Sequence, residues 1–474
     1  MQTDCSGEPL EFHGLGGRRV VAAFDAGRSS SDGGVVVLRE VAERTGWLDR
    51  FASCFRDGRT AARVEHPVSV LVKQRVLGIA LGYEDLNDHE RLRDDALLAL
   101  AAGQPDVLGA GRRRARDRGH ALAGKSTLNR LELHKANGST RYHRIQHDGA
   151  ALERLFVECF LDAHAAPPES IVLDIDATDD PLHGSQEGRF FHGYYGHYCY
   201  LPLYVFCGDH LLVAKLREAN RDAAAGAVEE LSRVVGQIRA RWPQVAVTVR
   251  ADSGFAREAL MAFCEANGVD YVLGLARNAR LQRAIGQALH EAKQRCEATG
   301  EAVRIYQELD YRTRKTWTRS RRVVAKAEHL PGKANPRFVV TSLAAERLAA
   351  ATVYEQLYCA RGDMENRIKE QQLDLFADRT STATLRANQL RLWLSSMAYV
   401  LIAALRRTAL PGTALAKAQA GTIRLRLFKI AALVRVSARR IVLSLSSSYP
   451  LQVLFAQALA NLTIESPRVP TPAA

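Results

Sequence analysis

The sequence predicts an α/β protein with helical regions at both ends of the chain. Three observations carry that reading. Apolar residues recur near the helical period before residue 165. Strand-like, β-branched runs then alternate with helical stretches over 166–300. Strand character returns without helices over 301–345. At 474 residues, 47% apolar and 25% charged, the chain has the composition of a globular protein of about three domains. That composition excludes a disordered chain, a collagen and a coiled-coil rod.

Taken in order, VSVLVKQRVLGIALGYEDLNDHERLRDDALLALAAG and LERLFVECFLDAH are helical, and Pro167-Pro168 ends the first region, 1–165. IVLDID is a short buried strand, and LPLYVFCGDHLLVAKL reads as two strands about Gly208-Asp209. A helix over 223–241 precedes the strand VAVTVRAD. FAREALMAFCEANG is a helix closed by Gly268, and DYVLGLA is a further strand. The β-rich segment follows at 301–345. A region over 346–408 carries two helices, and a basic, helical C-terminal region spans 409–474.

The eight cysteines form no C-x-x-C pair and no zinc spacing, the pattern of reduced thiols in a cytoplasmic protein. The N-terminus MQTDCSGEPLEF has no apolar h-region, so no signal peptide is expected. The apolar stretch from Trp393 to Leu405 is too short to span a bilayer and reads as a buried helix.

The net charge is +13, and it is concentrated. From Arg379 to Ile464 there are twelve Lys or Arg and no acid. Asp106–Ile145 holds ten basic residues against three acidic, including Arg112, Arg113, Arg114, Arg116 and Arg118. RTRKTWTRSRR, Arg312–Arg322, contributes Arg312, Arg314 and Arg319 among its six cations. Three such runs point to a nucleic-acid partner, whose phosphates Lys and Arg neutralise. Glu169–Glu187, by contrast, carries six carboxylates, which would repel a phosphate backbone unless a divalent cation stands between them.

Successive side chains of a strand alternate faces, so Asp174 and Asp176 of IVLDID point the same way. Asp252 ends the strand VAVTVRAD, where open α/β sheets place ligands. Tyr358, Arg361, Glu365 and Lys369 fall on one helical face. Each feature alone reads as a turn, a cap or a surface ion pair. Together, two strand-end aspartates and a helical glutamate form an all-oxygen set suited to two Mg²⁺ (or Mn²⁺) ions.

These residues resemble those of DDE transposases of bacterial insertion sequences. More narrowly, the chain is similar to the group with a strand-rich insertion in a ribonuclease H-like fold and a Y-x-x-R-x-x-x-E-x-x-x-x-x-x-K signature. Asp176 in DIDATDDP, Asp252 in VRADSGF, and Tyr358, Arg361 and Glu365 in YCARGDME carry the resemblance. It implies excision of an element, a hairpin step, and joining of 3′ ends to target DNA by a homodimer on double-stranded DNA. It also implies metal binding by the three acids, phosphate contacts by the tyrosine and arginine, and an N-terminal DNA-binding region. The first-ligand position lies between Asp176, favoured by its D-x-T context, and Asp174. The signature lysine is Gln372 here, and Lys369, one turn closer to Glu365, is expected to substitute for it. Trp317, flanked by cations on the insertion, is expected to stack on an unpaired base.

Gly119–Ser126 matches the G-x-x-x-x-G-K-S nucleotide loop, but no strand precedes it. It reads instead as a turn before a helix capped by Ser126, within a helix-turn-helix element. The aromatic cluster from Phe190 to Tyr200 reads as strand core and hairpin packing. Two rival functions remain: a metal-dependent nuclease without strand transfer, and a DNA-binding protein that no longer transposes.

Overall fold

The run Ser170–Ala177 (β1) has branched apolar residues first and ends by alternating them with aspartates, and it becomes an interior strand of a nine-stranded mixed sheet. The remaining strands are Leu203–Cys207 (β2), His210–Lys215 (β3), Ala246–Ala251 (β4), Asp270–Leu275 (β5), Val303–Tyr311 (β6), Arg321–Leu330 (β7), Lys333–Ala334 (β8) and Arg337–Thr341 (β9). Their order is β3-β2-β1-β4-β5-β9-β7-β6, with β8 paired to β7. β1, β4 and β5 are mutually parallel. β2 runs antiparallel to both β1 and β3. Gly208, at φ 59°, makes the tight turn between β2 and β3.

The structure is a computed structural model and describes residues 9–133 and 144–463. Cys5, with the N-terminal segment, and Lys135 and Arg141 of the second basic run lie outside the described residues. The chain divides into two compact units. One comprises Met1–Asp148, Asp374–Phe376 and Met397–Arg468. The other comprises Gly149–Leu373, Ala377–Ser396 and Val469–Ala474, and holds the large sheet.

Parallel strands need crossovers, and helices supply them. Ala227–Arg241 links β3 to β4, and Glu258–Ala266 links β4 to β5. With Gly149–Asp162 they bury the apolar faces of β1, β4 and β5 in one core around Leu173, Ile175, Val249, Leu231 and Phe160. The strand-rich segment extends this sheet: β9 pairs antiparallel with β5 and so covers what would be an open edge. Gly286–Thr299 packs on β6 and β7.

In the other unit, helices such as Val35–Thr45 and Val68–Ala80 form as the helical period requires. A hairpin of Leu10–Leu15 and Arg18–Ala22 precedes them. The two chain ends interlock there: Ser29–Ser30 pairs with Ala432–Leu433, and Lys429 binds Asp32 at 2.6 Å. The helical expectation for the C-terminal region is corrected here. Ala432–Val436 and Ile441–Leu445 are antiparallel strands, because ALVRV and IVLSL are short runs with β-branched residues joined by the Ser437–Arg440 turn. Trp393–Leu405 lies inside the helix Leu385–Thr408 and is buried. Among the described residues no helix is long and apolar enough to cross a membrane, and no disulfide joins the cysteines.

The hairpin before β7 is bolted to the helix Glu258–Ala266. Arg321, with a side chain 3% exposed, binds Glu258 at 2.7 Å and Glu265 at 2.8 Å, and Arg319 adds a contact to Glu265 at 2.6 Å. Burial would raise the Glu265 carboxyl. Hydrogen bonds from Arg321, Arg319 and Tyr271 outweigh it and hold the group down at about 2. A depressed carboxyl contributes stability that is full above its ordinary range and fades as pH falls toward 2. Glu265→Gln should therefore lower the urea midpoint at pH 7, and the difference from wild type should shrink as pH falls below about 4.5. A difference independent of pH would contradict the clamp.

Candidate active site

The register of two parallel strands places the first two acids side by side. Ile175 of β1 pairs with Ala251 of β4, and Asp176 and Asp252 are each the next residue. Asp252 then turns the chain: its Oδ1 accepts the Gly254 N–H at 2.8 Å and caps the short helical turn Ser253–Phe255. Gly274 of β5 backs this turn. A Cβ there would lie 2.5 Å from the Tyr358 hydroxyl and 2.9 Å from Ser253 N, so only glycine admits both.

The third element is not the regular helix that its spacing predicts. Ala350–Thr352 runs into a π-helical turn, Val353–Tyr358, then a 3₁₀ turn, Cys359–Arg361, and only then the α-helix Gly362–Leu375. Such bulges redirect side chains and recur at functional sites. Here the result is convergence. Arg361 lies 3.3 Å from Asp176 and 2.6 Å from Glu365. Burial pushes the Asp176 carboxyl up to about 6; Arg361 opposes the rise, while the Asp252 and Glu365 charges add to it. Burial also raises the Tyr358 hydroxyl, Arg361 opposing and the Asp252 charge adding.

Asp174 is buried and committed elsewhere. Arg250 of β4 grips both its oxygens, at 2.5 and 2.7 Å, and donates from Nη1 to the Leu357 carbonyl at 2.6 Å. This chain docks the π turn onto the sheet one residue before Tyr358. Sequence reasoning passed over Arg250 because a strand arginine beside an aspartate carries no motif. Its one signal is its register opposite Asp174.

The remaining expected residues scatter. Trp317 is corrected: its indole is 4% exposed, edge-on to Tyr311 at 5.8 Å and beneath the Arg321 guanidinium at 5.4 Å. Core packing claims it, so it cannot stack on a base. Arg312 donates to the Trp317 carbonyl, Arg319 is paired with Glu265, and Arg314 is exposed. Lys369 is exposed. Gln372 donates to Asp179 O and to Asp180 Oδ1, each at 3.0 Å, and so faces a buried carboxyl. Ser126 is inside the helix Lys125–Glu132, whose cap is Gly124.

In the other unit, Arg112, Arg113, Arg114 and Arg116 line a cleft of about 710 Å³ together with Arg59, Arg63, Arg93 and Arg130. Arg112 is buried and donates to the carbonyls of Glu65, His120 and Ala121. Burial, aided by Arg112 and Arg59, drives His66 down to about 4. The Gly119–Ser126 loop borders the same cleft, and no strand precedes it.

Among the described residues no three His, Cys, Asp or Glu side chains converge closely enough to hold a metal. A guanidinium, a monovalent cation, bridges two of the acids instead. The donors are all oxygens, and positive charge opposes the rise that burial, with the Asp252 and Glu365 charges, imposes on Asp176. By donor type alone, an all-oxygen set is the kind that a hard divalent ion takes.

The family model for "Transposase DDE domain group 1" matches residues 12–466. No curated protein matches. Among solved structures, the chain is similar to a piggyBac transposase synaptic complex with hairpin DNA seen by cryo-EM. The identity is 11%, over 80% of this chain and 74% of that one, with a TM-score of 0.36. That likeness is too slight to carry an argument.

Asp174 and Asp176 separate by stability. Asp174→Asn leaves Arg250 buried and unpaired, and should cost about 3–5 kcal/mol in urea unfolding. Asp176→Asn removes a crowded carboxylate and should cost nothing at pH 7, or stabilise. Equal losses would contradict the division.

Proposed function

Because the chain belongs to the transposase DDE domain group 1 family, we propose that it excises an insertion sequence and joins its 3′ ends to target DNA, with Asp176, Asp252 and Glu365 as the catalytic acids. The observation that carries this reading is the meeting of Asp176 and Glu365 on Arg361, beside Asp252 on the neighbouring strand end. The strand order β3-β2-β1-β4-β5, antiparallel then parallel, supports a ribonuclease H-like core.

DDE transposase domains are in general divalent-metal dependent, and the three acids would hold Mg²⁺ or Mn²⁺, two ions per site. Such ions activate a water or 3′-hydroxyl and stabilise the leaving oxygen of an in-line phosphoryl displacement. The protein's own residues position the strand. Arg361 is poised to exchange its carboxylate partners for a phosphodiester, which its planar fork also fits. Tyr358 stands beside it against Gly274 and Asp252. Lys369 and Arg314 are exposed cations for the flanking backbone. Asp174 is the structural partner of Arg250 and not a ligand. The partners are element ends and target DNA, bound by a homodimer, with cytoplasmic location.

Asp252→Asn should abolish Mg²⁺-dependent cleavage of an element end and leave binding within about twofold; cleavage that survives would overturn the assignment. The arginine cleft of the other unit serves as the duplex grip. Arg114→Ala with Arg116→Ala should weaken binding to generic duplex DNA and reduce the slope of log K against log salt by about 2. An unchanged slope would remove the cleft from the DNA path.

A further inference from the structure

The segment that leaves β1 is fixed by its neighbours. The Thr178 N–H donates to the Pro202 carbonyl at 3.3 Å, and Asp180–Pro181 pairs antiparallel with Cys199–Tyr200. Asp180 is fully buried. Its Oδ1 accepts from Gln372 Nε2 at 3.0 Å, and the same amide donates to the Asp179 carbonyl at 3.0 Å. Among the described residues the other oxygen of Asp180 has no hydrogen-bond partner. Neither has the hydroxyl of Tyr204, which is also fully buried. Burial pushes the Asp180 carboxyl far up; Gln372 opposes the rise, and the Asp378 and Asp179 charges add to it. A carboxyl in that setting is neutral and meets Gln372 as a plain carbonyl acceptor.

Gln372 belongs to the helix Gly362–Leu375, which carries Glu365. It lies seven residues after Glu365, two turns and about 10 Å along the axis, on the same face. Two ties hold this stretch to the exit of β1. Just before the helix, Arg361 bridges Asp176 at 3.3 Å and Glu365 at 2.6 Å. Farther along, Gln372 holds Asp179 and Asp180, three and four residues past Asp176. The ties differ in kind. The first is ionic, and an entering divalent cation or phosphodiester competes for its two sides. The second is neutral and buried, so neither ions nor salt compete for it.

We propose that Gln372 is a positioning residue: it keeps the Glu365 helix against the exit of β1 when Arg361 releases its carboxylates, and so fixes how far Glu365 stands from Asp176. Although it occupies the place of the signature lysine, its amide is turned to the protein's own backbone and to Asp180 rather than to a phosphate. The proposal rests on the transposase reading, because that separation matters where the acids share ions. Groups that orient metal ligands from behind set affinity by roughly 10- to 100-fold.

Gln372→Met keeps the length of the side chain and removes both hydrogen bonds. In the full chain it should weaken Mn²⁺ binding by roughly 10- to 100-fold. It should also speed hydrogen exchange of the Gly362–Leu375 amides in the metal-free protein, and leave affinity for duplex DNA unchanged. Asp180→Asn, which keeps the accepting oxygen without a charge, should match wild type in all three. Gln372→Glu, of the same size but without the donor, takes the place of Gln372→Met if that variant does not fold. Unchanged exchange overturns the proposal. Faster exchange with Mn²⁺ binding intact overturns it too, since the tie would then be structural only. So does weaker DNA binding with Mn²⁺ binding intact, which would make Gln372 a contact to DNA. Failure of the transposase reading shows elsewhere: wild type would bind no Mn²⁺ and Asp252→Asn would still cleave, while the exchange comparison, made without metal, would still decide the tie.

Discussion

The geometry of the proposed active site depends on one buried ion pair. Asp174 and Arg250 neutralise each other between adjacent parallel strands, and the spare Nη1 of Arg250 reaches the Leu357 carbonyl. A π turn leaves backbone groups outside the ordinary helical pattern, and a buried donor from the sheet satisfies one of them. With the turn fixed, Tyr358 and Arg361 follow within four residues, and Glu365 one turn later. Breaking a pair of this kind strands a charge in the interior, so its effect would spread to every residue on the helix.

Charge is arranged in two opposed ways. In the site burial lifts Asp176 toward protonation, the Asp252 and Glu365 charges add to it, and Arg361 is the counter-charge at hand. In the other unit burial drives His66 down, and Arg112 and Arg59 of the arginine-lined cleft add to it. Both states are costly alone. Each is relieved by the partner that a DNA-cutting enzyme would meet: divalent cations in one case, phosphates in the other.

Much of this was legible from residue order. Strand-end aspartates could be read because a period-two run and a following Gly-rich turn fix where a parallel strand stops. The β2–β3 hairpin and the helices were equally plain. The π turn was not, since its residues differ in no periodic way from a helix and the groups that hold it, Arg250 at Leu357 and Tyr306 at Glu355, lie far upstream. Trp317 misled because a cation-flanked indole reads the same whether Arg321 and Tyr311 pack on it or solvent surrounds it. The aromatic hairpin misled in the opposite sense: its composition is that of a core strand, yet Tyr200 is fully buried while Phe191 and Tyr194 are exposed. The C-terminal strands were hidden by basic residues common to both structures.

The central claim is that Asp176, Asp252 and Glu365 form one cation site whose charge Arg361 balances. Titration of the full chain with Mn²⁺, followed by the electron paramagnetic resonance signal of free ion in the presence of duplex DNA, tests it most directly. Two ions should bind per chain in wild type, and binding should be lost in Glu365→Gln and in Asp176→Asn while Asp174→Glu, if folded, retains it. Equal Mn²⁺ binding by wild type and Glu365→Gln would contradict the claim.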